Sequence, residues 1–131
     1  MQTFFLAVIC YLLGSIPFSY LFSKLKGKDP RQGGTGNVGA SNVMIVAGPA
    51  IALLALAGDI AKGSAAVILA RYYNLSDWGI VFCSLAVISG HDFPVLLGFK
   101  GGKGIATTGG VLLALNPLLA FLLILLWGIT M

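Results

Sequence analysis

The residues able to do chemistry in this chain lie in two glycine-rich stretches. The first runs Arg31-Gln-Gly-Gly-Thr-Gly-Asn-Val-Gly-Ala-Ser-Asn42, and the second His91-Asp-Phe-Pro-Val-Leu-Leu-Gly-Phe-Lys-Gly-Gly-Lys-Gly104. Lys24, Lys26, Lys28, Arg31, Lys100 and Lys103, six of the eight cations, sit in or beside them, although only 9% of residues are charged. Cations interleaved with glycines suit the binding of phosphate-bearing ligands. Glycines let backbone N–H groups approach an anion closely, and the hydroxyls of Thr35 and Ser41 add donors. A short helix starting near Ser41, and another from Ile105, would each aim a favourable dipole at the ligand.

Two more specific motifs fail on context. Gly34-Thr-Gly-Asn-Val-Gly39 matches G-x-G-x-x-G, with Asp59 twenty residues further on, as in a dinucleotide site. A lysine-rich tail precedes it where a strand is required, and no βαβ alternation follows. Gly98-Phe-Lys-Gly-Gly-Lys-Gly104 is close to a Walker A loop, but Leu97 stands where the first glycine belongs and Gly104 replaces the Ser/Thr. His91 is the only histidine. Leu96 occupies the acid position of a His-x4-Asp pair, and no Ser-His-acid set is recognisable by spacing. A lone interfacial histidine is more often structural than a general base.

These stretches must be carried by membrane helices. The chain has 131 residues, 58% of them hydrophobic, and no Glu, with a mean hydropathy of +0.98. Soluble domains carry about 25% charged residues. The net charge of +4 flanks apolar runs as membrane-orienting charge does, so a nucleic-acid partner is excluded. Cys10 and Cys83 lie inside apolar runs and read as small buried hydrophobes; no metal site and no cofactor is expected.

Spans are predicted at about 3–22, 49–70, 76–90 and 105–131. Gly14-Ser15 and Pro17 should bend the first near its exit, freeing backbone groups that need a partner. Gly48-Pro49 divides a short returning segment from the second, and Asn116-Pro117 breaks the last. Residues 78–90 alone make only about 20 Å of helix, so the third span must borrow flanking residues. Asp59 and Lys62, at i,i+3, share one helix face and support a polar pocket at its cytoplasmic end. The lysine-rich segment places both glycine-rich stretches in the cytoplasm and the N-terminus outside. The predicted fold is all-α: a single polytopic membrane helix bundle over 1–131, with kinked and short helices and two Gly-rich cytoplasmic loops.

Read together, the stretches resemble the bacterial acyl-phosphate-dependent glycerol-3-phosphate acyltransferases. The resemblance rests on Gly14-Ser15, Gly34 to Asn42, Asp59 with Lys62-Gly63, and Gly90-His91 leading to Phe99-Lys-Gly-Gly-Lys-Gly104. It implies transfer of a fatty acyl group from acyl phosphate to the sn-1 hydroxyl of glycerol 3-phosphate, in the bacterial cell membrane. It also implies catalytic Thr35 and Lys103, with Arg31, Gly36, Asn37, Ser41, Asn42, His91, Lys100, Gly101, Gly102 and Gly104 around the phosphates. Ser15, Asp59 and Lys62 support them from behind. Thr35 takes the place of the family's serine. Ile45 stands where the family has an arginine, with Arg31 the nearest substitute. The family's third cytoplasmic motif would fall beyond Met131, so a truncated enzyme is expected. The competing expectations are a membrane protein that binds anionic headgroups without turnover, and an anion transporter.

Overall fold

The structure, a computed structural model, describes residues 1–130; Met131, the end of the last predicted span, lies outside the described residues. Seven α-helices and two 3-10 turns follow one another, and no strand occurs among the described residues. α1 (Gln2–Gly14) and α2 (Phe18–Leu25) make one interrupted span. α3 (Ala40–Ala47) is short, α4 (Pro49–Tyr72) long, and α5 covers Asp77–Asp92. α6 (Ile105–Leu115) and α7 (Pro117–Thr130) complete the order. The 3-10 turns are Pro30–Gln32 and Val95–Leu97. Gln2–Leu25, Pro49–Tyr72 and Asp77–Leu97 are each long and apolar enough to cross a bilayer. Large apolar side chains such as Phe4, Leu54, Phe82 and Leu118 are exposed around the bundle. An apolar surface of this extent belongs in lipid: the chain is an integral membrane protein.

The helix breaks follow from local chemistry. Pro17 has no N–H to donate and disfavours helical backbone at Ile16, so α1 stops at Gly14 and a new helix starts at Phe18. The freed carbonyls of Gly14 and Ile16 accept from the buried Lys62 ammonium, at 2.8 and 2.9 Å. Gly48 takes φ +91, which lets the chain turn between α3 and α4, and Pro49 occupies the first turn of α4. At the α6–α7 break, Asn116 Oδ1 accepts from the Leu119 amide at 3.1 Å and so caps α7. Arg71 at the far end of α4 donates to the Ala114 carbonyl at 2.7 Å, closing the end of α6. One long helix thus supplies the cation for both breaks.

The crossings are made by paired glycines. A Cβ at Gly14 would collide with the Val87 carbonyl, and one at Gly90 with that of Tyr11, so α1 and α5 meet backbone to backbone. Gly63 and Gly110 play the same parts for α4 and α6, against the carbonyls of Thr107 and Ile60. Close approach of this kind replaces the hydrophobic drive that lipid cannot supply. The buried apolar cluster between these helices is correspondingly small in side chain: Leu6, Cys10, Ala66, Val67, Ala70, Cys83, Val87 and Val111.

Candidate active site

The first glycine-rich loop is built around one side chain. Asn42, fully buried in the first turn of α3, donates to the carbonyls of Pro30 (2.8 Å), Gly33 (3.1 Å) and Asn37 (2.7 Å). Its Oδ1 accepts from the Thr35 amide at 2.8 Å. Gly34 (φ +57) and Gly36 (φ +75) supply left-handed turns, and a Cβ at Gly34 would strike Asn42 Oδ1. Asn37 Oδ1 accepts from the Gly39 amide at 2.8 Å, a tight turn that leads into α3. Thr35 and Ser41 stay exposed, and the Thr35 hydroxyl accepts from the Asn37 amide at 3.4 Å. Asn42 and Asn37, expected as phosphate ligands, are therefore engaged in holding the loop's shape.

Arg31 is also engaged. Asp29 Oδ1 accepts from its Nε at 3.0 Å and Oδ2 from its Nη2 at 2.8 Å, while the guanidinium lies over the Tyr20 ring, 4.6 Å from its centroid. These hydrogen bonds hold the Asp29 carboxyl well below the usual carboxylate range, and Asp29 in turn raises the Arg31 guanidinium. Far from standing in for the family arginine, Arg31 is clamped. Ile45 lies against Gly34, its Cγ2 3.4 Å from where a Cβ on that glycine would sit. Residue 45 is thus beside Gly34 of the loop.

The second stretch folds back onto the end of α5. The Gly101 amide donates to the Asp92 carbonyl at 3.0 Å, and that of Gly102 to the His91 carbonyl at 3.3 Å. A side chain at Gly101 would strike the His91 and Asp92 carbonyls, and one at Gly102 the His91 ring. The two amides expected to clasp phosphate are both taken by α5 in this structure. Gly104 (φ +69) starts α6 with its face against the Asp92 carboxylate, whose buried Oδ1 has no hydrogen-bond partner. Lys100 and Lys103 are exposed, and their side chains make no ion pair or hydrogen bond among the described residues. They are the cations of this stretch left available to a ligand.

Behind the loops lies a buried ionic cluster. Lys62 donates to the Gly14 and Ile16 carbonyls and forms an ion pair with Asp59 Oδ1 at 3.0 Å. The same carboxylate oxygen faces His91 Nδ1 at 3.4 Å, and Oδ2 accepts from Ser19 Oγ at 3.4 Å. His91 is buried, so it belongs to this cluster and not to an open binding surface. Ser15, also buried, donates to the Tyr11 carbonyl of its own helix at 3.0 Å and does not reach the cluster. A small cavity of about 10 Å³ sits here, lined by Val38 of the first stretch and by His91, Pro94, Leu97, Gly101 and Gly102 of the second. Both stretches therefore meet at one end of the bundle. Sequence reasoning missed Ser19, Tyr20, Asp29 and Val38. A signal for Ser19 existed: Ser15, Ser19 and Ser23 recur every fourth residue within an apolar span, and all three are buried.

Residues 4–131 match the family model described as glycerol-3-phosphate acyltransferase. The glycerol-3-phosphate acyltransferase of Syntrophomonas wolfei is 47% identical over 128 residues, covering 97% of this chain and 65% of that protein. That of Dechloromonas aromatica is 50% identical over 120 residues, 91% of this chain and 61% of the relative. Among solved structures, the glycerol 3-phosphate form of PlsY, an integral membrane glycerol 3-phosphate acyltransferase, superposes with a TM-score of 0.90 at 42% identity. It is matched over 97% of this chain and 64% of its own length. The lysophosphatidic acid form gives 0.85 at 39%, over 97% of this chain and 63% of its own. The chain thus spans less than two thirds of the length of these relatives.

Proposed function

The chain belongs to the glycerol-3-phosphate acyltransferase family, and from that premise we propose that it moves a fatty acyl group from acyl phosphate to the sn-1 hydroxyl of glycerol 3-phosphate. The products are lysophosphatidic acid and inorganic phosphate. One observation carries this reading: both glycine-rich loops line a single cavity, and exposed Thr35, Ser41, Lys100 and Lys103 lie on those same loops.

An acyl phosphate is already activated, so no covalent enzyme intermediate is needed. The glycerol hydroxyl oxygen attacks the acyl carbon, the bond from that carbon to the phosphate oxygen breaks, and the hydroxyl proton passes to phosphate. Lys103, with Lys100 beside it, neutralises the departing phosphate, and the Thr35 and Ser41 hydroxyls orient the glycerol phosphate. Fixed charges where charge develops contribute a few kcal/mol each, and holding both substrates together supplies much of the remainder. Gly36, Gly101, Gly102 and Gly104 act through backbone shape. His91, Asp59 and Lys62 hold the second stretch against the broken first span. The loops face the cytoplasm, with the N-terminus outside.

Acyl transfer from labelled acyl phosphate tests the proposal. Lys103→Ala should lower kcat/KM about a hundredfold, in line with loss of one charged donor; undiminished turnover would discard the assignment. A second reading, headgroup binding without turnover, is favoured by Ile45 and by the clamped Arg31, which leave the first loop without a free arginine. It predicts saturable binding of glycerol 3-phosphate with no lysophosphatidic acid formed.

A further inference from the structure

The loop between α5 and Lys100 has two sides of opposite character. Its inner side, Pro94, Leu97, Gly101 and Gly102, lines the cavity. Its outer side presents Leu96, 72% exposed, with Phe93 and Phe99 at 58% each and Val95 at 47%. These lie at the end of the apolar stretch Asp77–Leu97, continuous with the exposed Phe82 and Leu85 of α5. Lys100 and Lys103 follow at once, unpaired.

The backbone of this crest is satisfied in part from within the protein, with the Val95 and Leu96 amides left without a protein partner among the described residues. The amides of Leu97 and Phe99 donate to the Pro94 carbonyl, that of Gly98 to Val95, and that of Lys100 to Leu97. Those of Gly101 and Gly102 are taken by α5. Irregular backbone enters hydrocarbon only when all its polar groups are satisfied, so the backbone of the crest stays at headgroup level and only its side chains reach the acyl chains. The loop also holds Phe99 at φ +64, a left-handed conformation that a bulky residue adopts only under strain. That strain turns an aromatic ring outward.

We propose that Phe93, Val95, Leu96 and Phe99 form a wedge seated in the acyl-chain region of the leaflet that carries the glycine-rich loops. The wedge sets the depth at which Lys100 and Lys103 stand, so that they meet the headgroup layer. The occupant is lipid rather than a protein partner because the crest continues the lipid-facing surface of a membrane span and ends in two lysines at headgroup position. On the acyltransferase reading proposed above, this depth lets a donor whose tail stays in the bilayer present its phosphate to Lys103.

The depth is measurable without activity. A fluorophore on Leu96→Cys, in vesicles of phosphatidylethanolamine and phosphatidylglycerol, should be quenched at least twofold more by shallow doxyl-labelled lipid than by aqueous iodide. Cys10 and Cys83 are buried and stay unlabelled. A probe on Lys28→Cys should show the reverse. Dominant iodide quenching would overturn the wedge, as would protection from both quenchers, which would mean that another segment or a second copy covers the crest. Phe99→Gly removes both ring and strain. It should leave the thermal midpoint in detergent unchanged or raised, while the KM for vesicle-borne acyl phosphate rises severalfold and that for glycerol 3-phosphate holds. A lowered midpoint would show the ring buried in protein and overturn the proposal. Absence of any transfer by the parent chain would sink the functional reading alone, since the quenching ratio stands apart from it.

Discussion

Asn42 and Asp29 show how much of the first loop is held by single side chains. Asn42 satisfies three carbonyls and one amide from a buried position, so Asn42→Ala leaves several buried polar groups without partners, at about 1–3 kcal/mol each. Limited proteolysis between Arg31 and Gly39 should quicken markedly, with the KM for glycerol 3-phosphate rising more than kcat falls. The Asp29 carboxyl titrates below its unfolded value because Arg31 binds its ionised form. A depressed folded pKa gives stability that is present above the unfolded value, about 3.9, and is lost as pH falls through the folded one. Cleavage at Lys24–Lys28 by an acid-active protease should therefore stay slow at pH 5 and accelerate below about pH 4; a flat profile would show that the clamp does not order the loop. Ile45 lies against Gly34, and Ile45→Arg should tighten glycerol 3-phosphate binding by about tenfold, the effect of one added charged contact, read by calorimetry.

At the scale of elements, α4 is the strut on which the interrupted helices depend. Lys62 caps the α1–α2 break and Arg71 the end of α6. Lys62→Ala removes two hydrogen bonds and an ion pair and leaves Asp59 buried without its cation, a change that costs about 3–5 kcal/mol. The thermal midpoint in detergent should fall accordingly, whereas Arg71→Ala, at an exposed end, should cost less. A fall no larger for Lys62 than for Arg71 would contradict the buried arrangement. Gly63→Leu tests the α4–α6 crossing by placing bulk against the Thr107 carbonyl, and it should prevent folding rather than weaken activity selectively.

For the whole molecule, function follows from gathering the polar loops at one end of an apolar bundle. The lysine-rich segment between α2 and α3 sets the orientation we propose, with both loops cytoplasmic. Cysteines at Lys28 and Lys100 should react with an impermeant thiol reagent in inside-out vesicles, and one at Asn74 in right-side-out vesicles. Reaction of Lys28 and Lys100 positions from opposite faces would dissolve the shared site.

Hydropathy, Gly-Pro punctuation and the grouping of cations were enough to give an all-helical membrane protein and its helix breaks. Those features are local, since a proline lacks its N–H and a run of leucines prefers lipid whatever surrounds them. Partnership was not legible. Arg31, Lys62, Lys100 and Lys103 look alike along the chain, yet Arg31 is clamped by Asp29 and Lys62 caps carbonyls 46 and 48 residues away. Of these four, the two lysines of the second stretch have side chains without a partner among the described residues. Likewise Gly101 and Gly102 read as an anion cradle, and only the return of the loop onto α5 assigns their amides to His91 and Asp92. A hydrogen bond is decided by what lies within about 3 Å, and for residues far apart in sequence that neighbour is chosen by the packing of the helices.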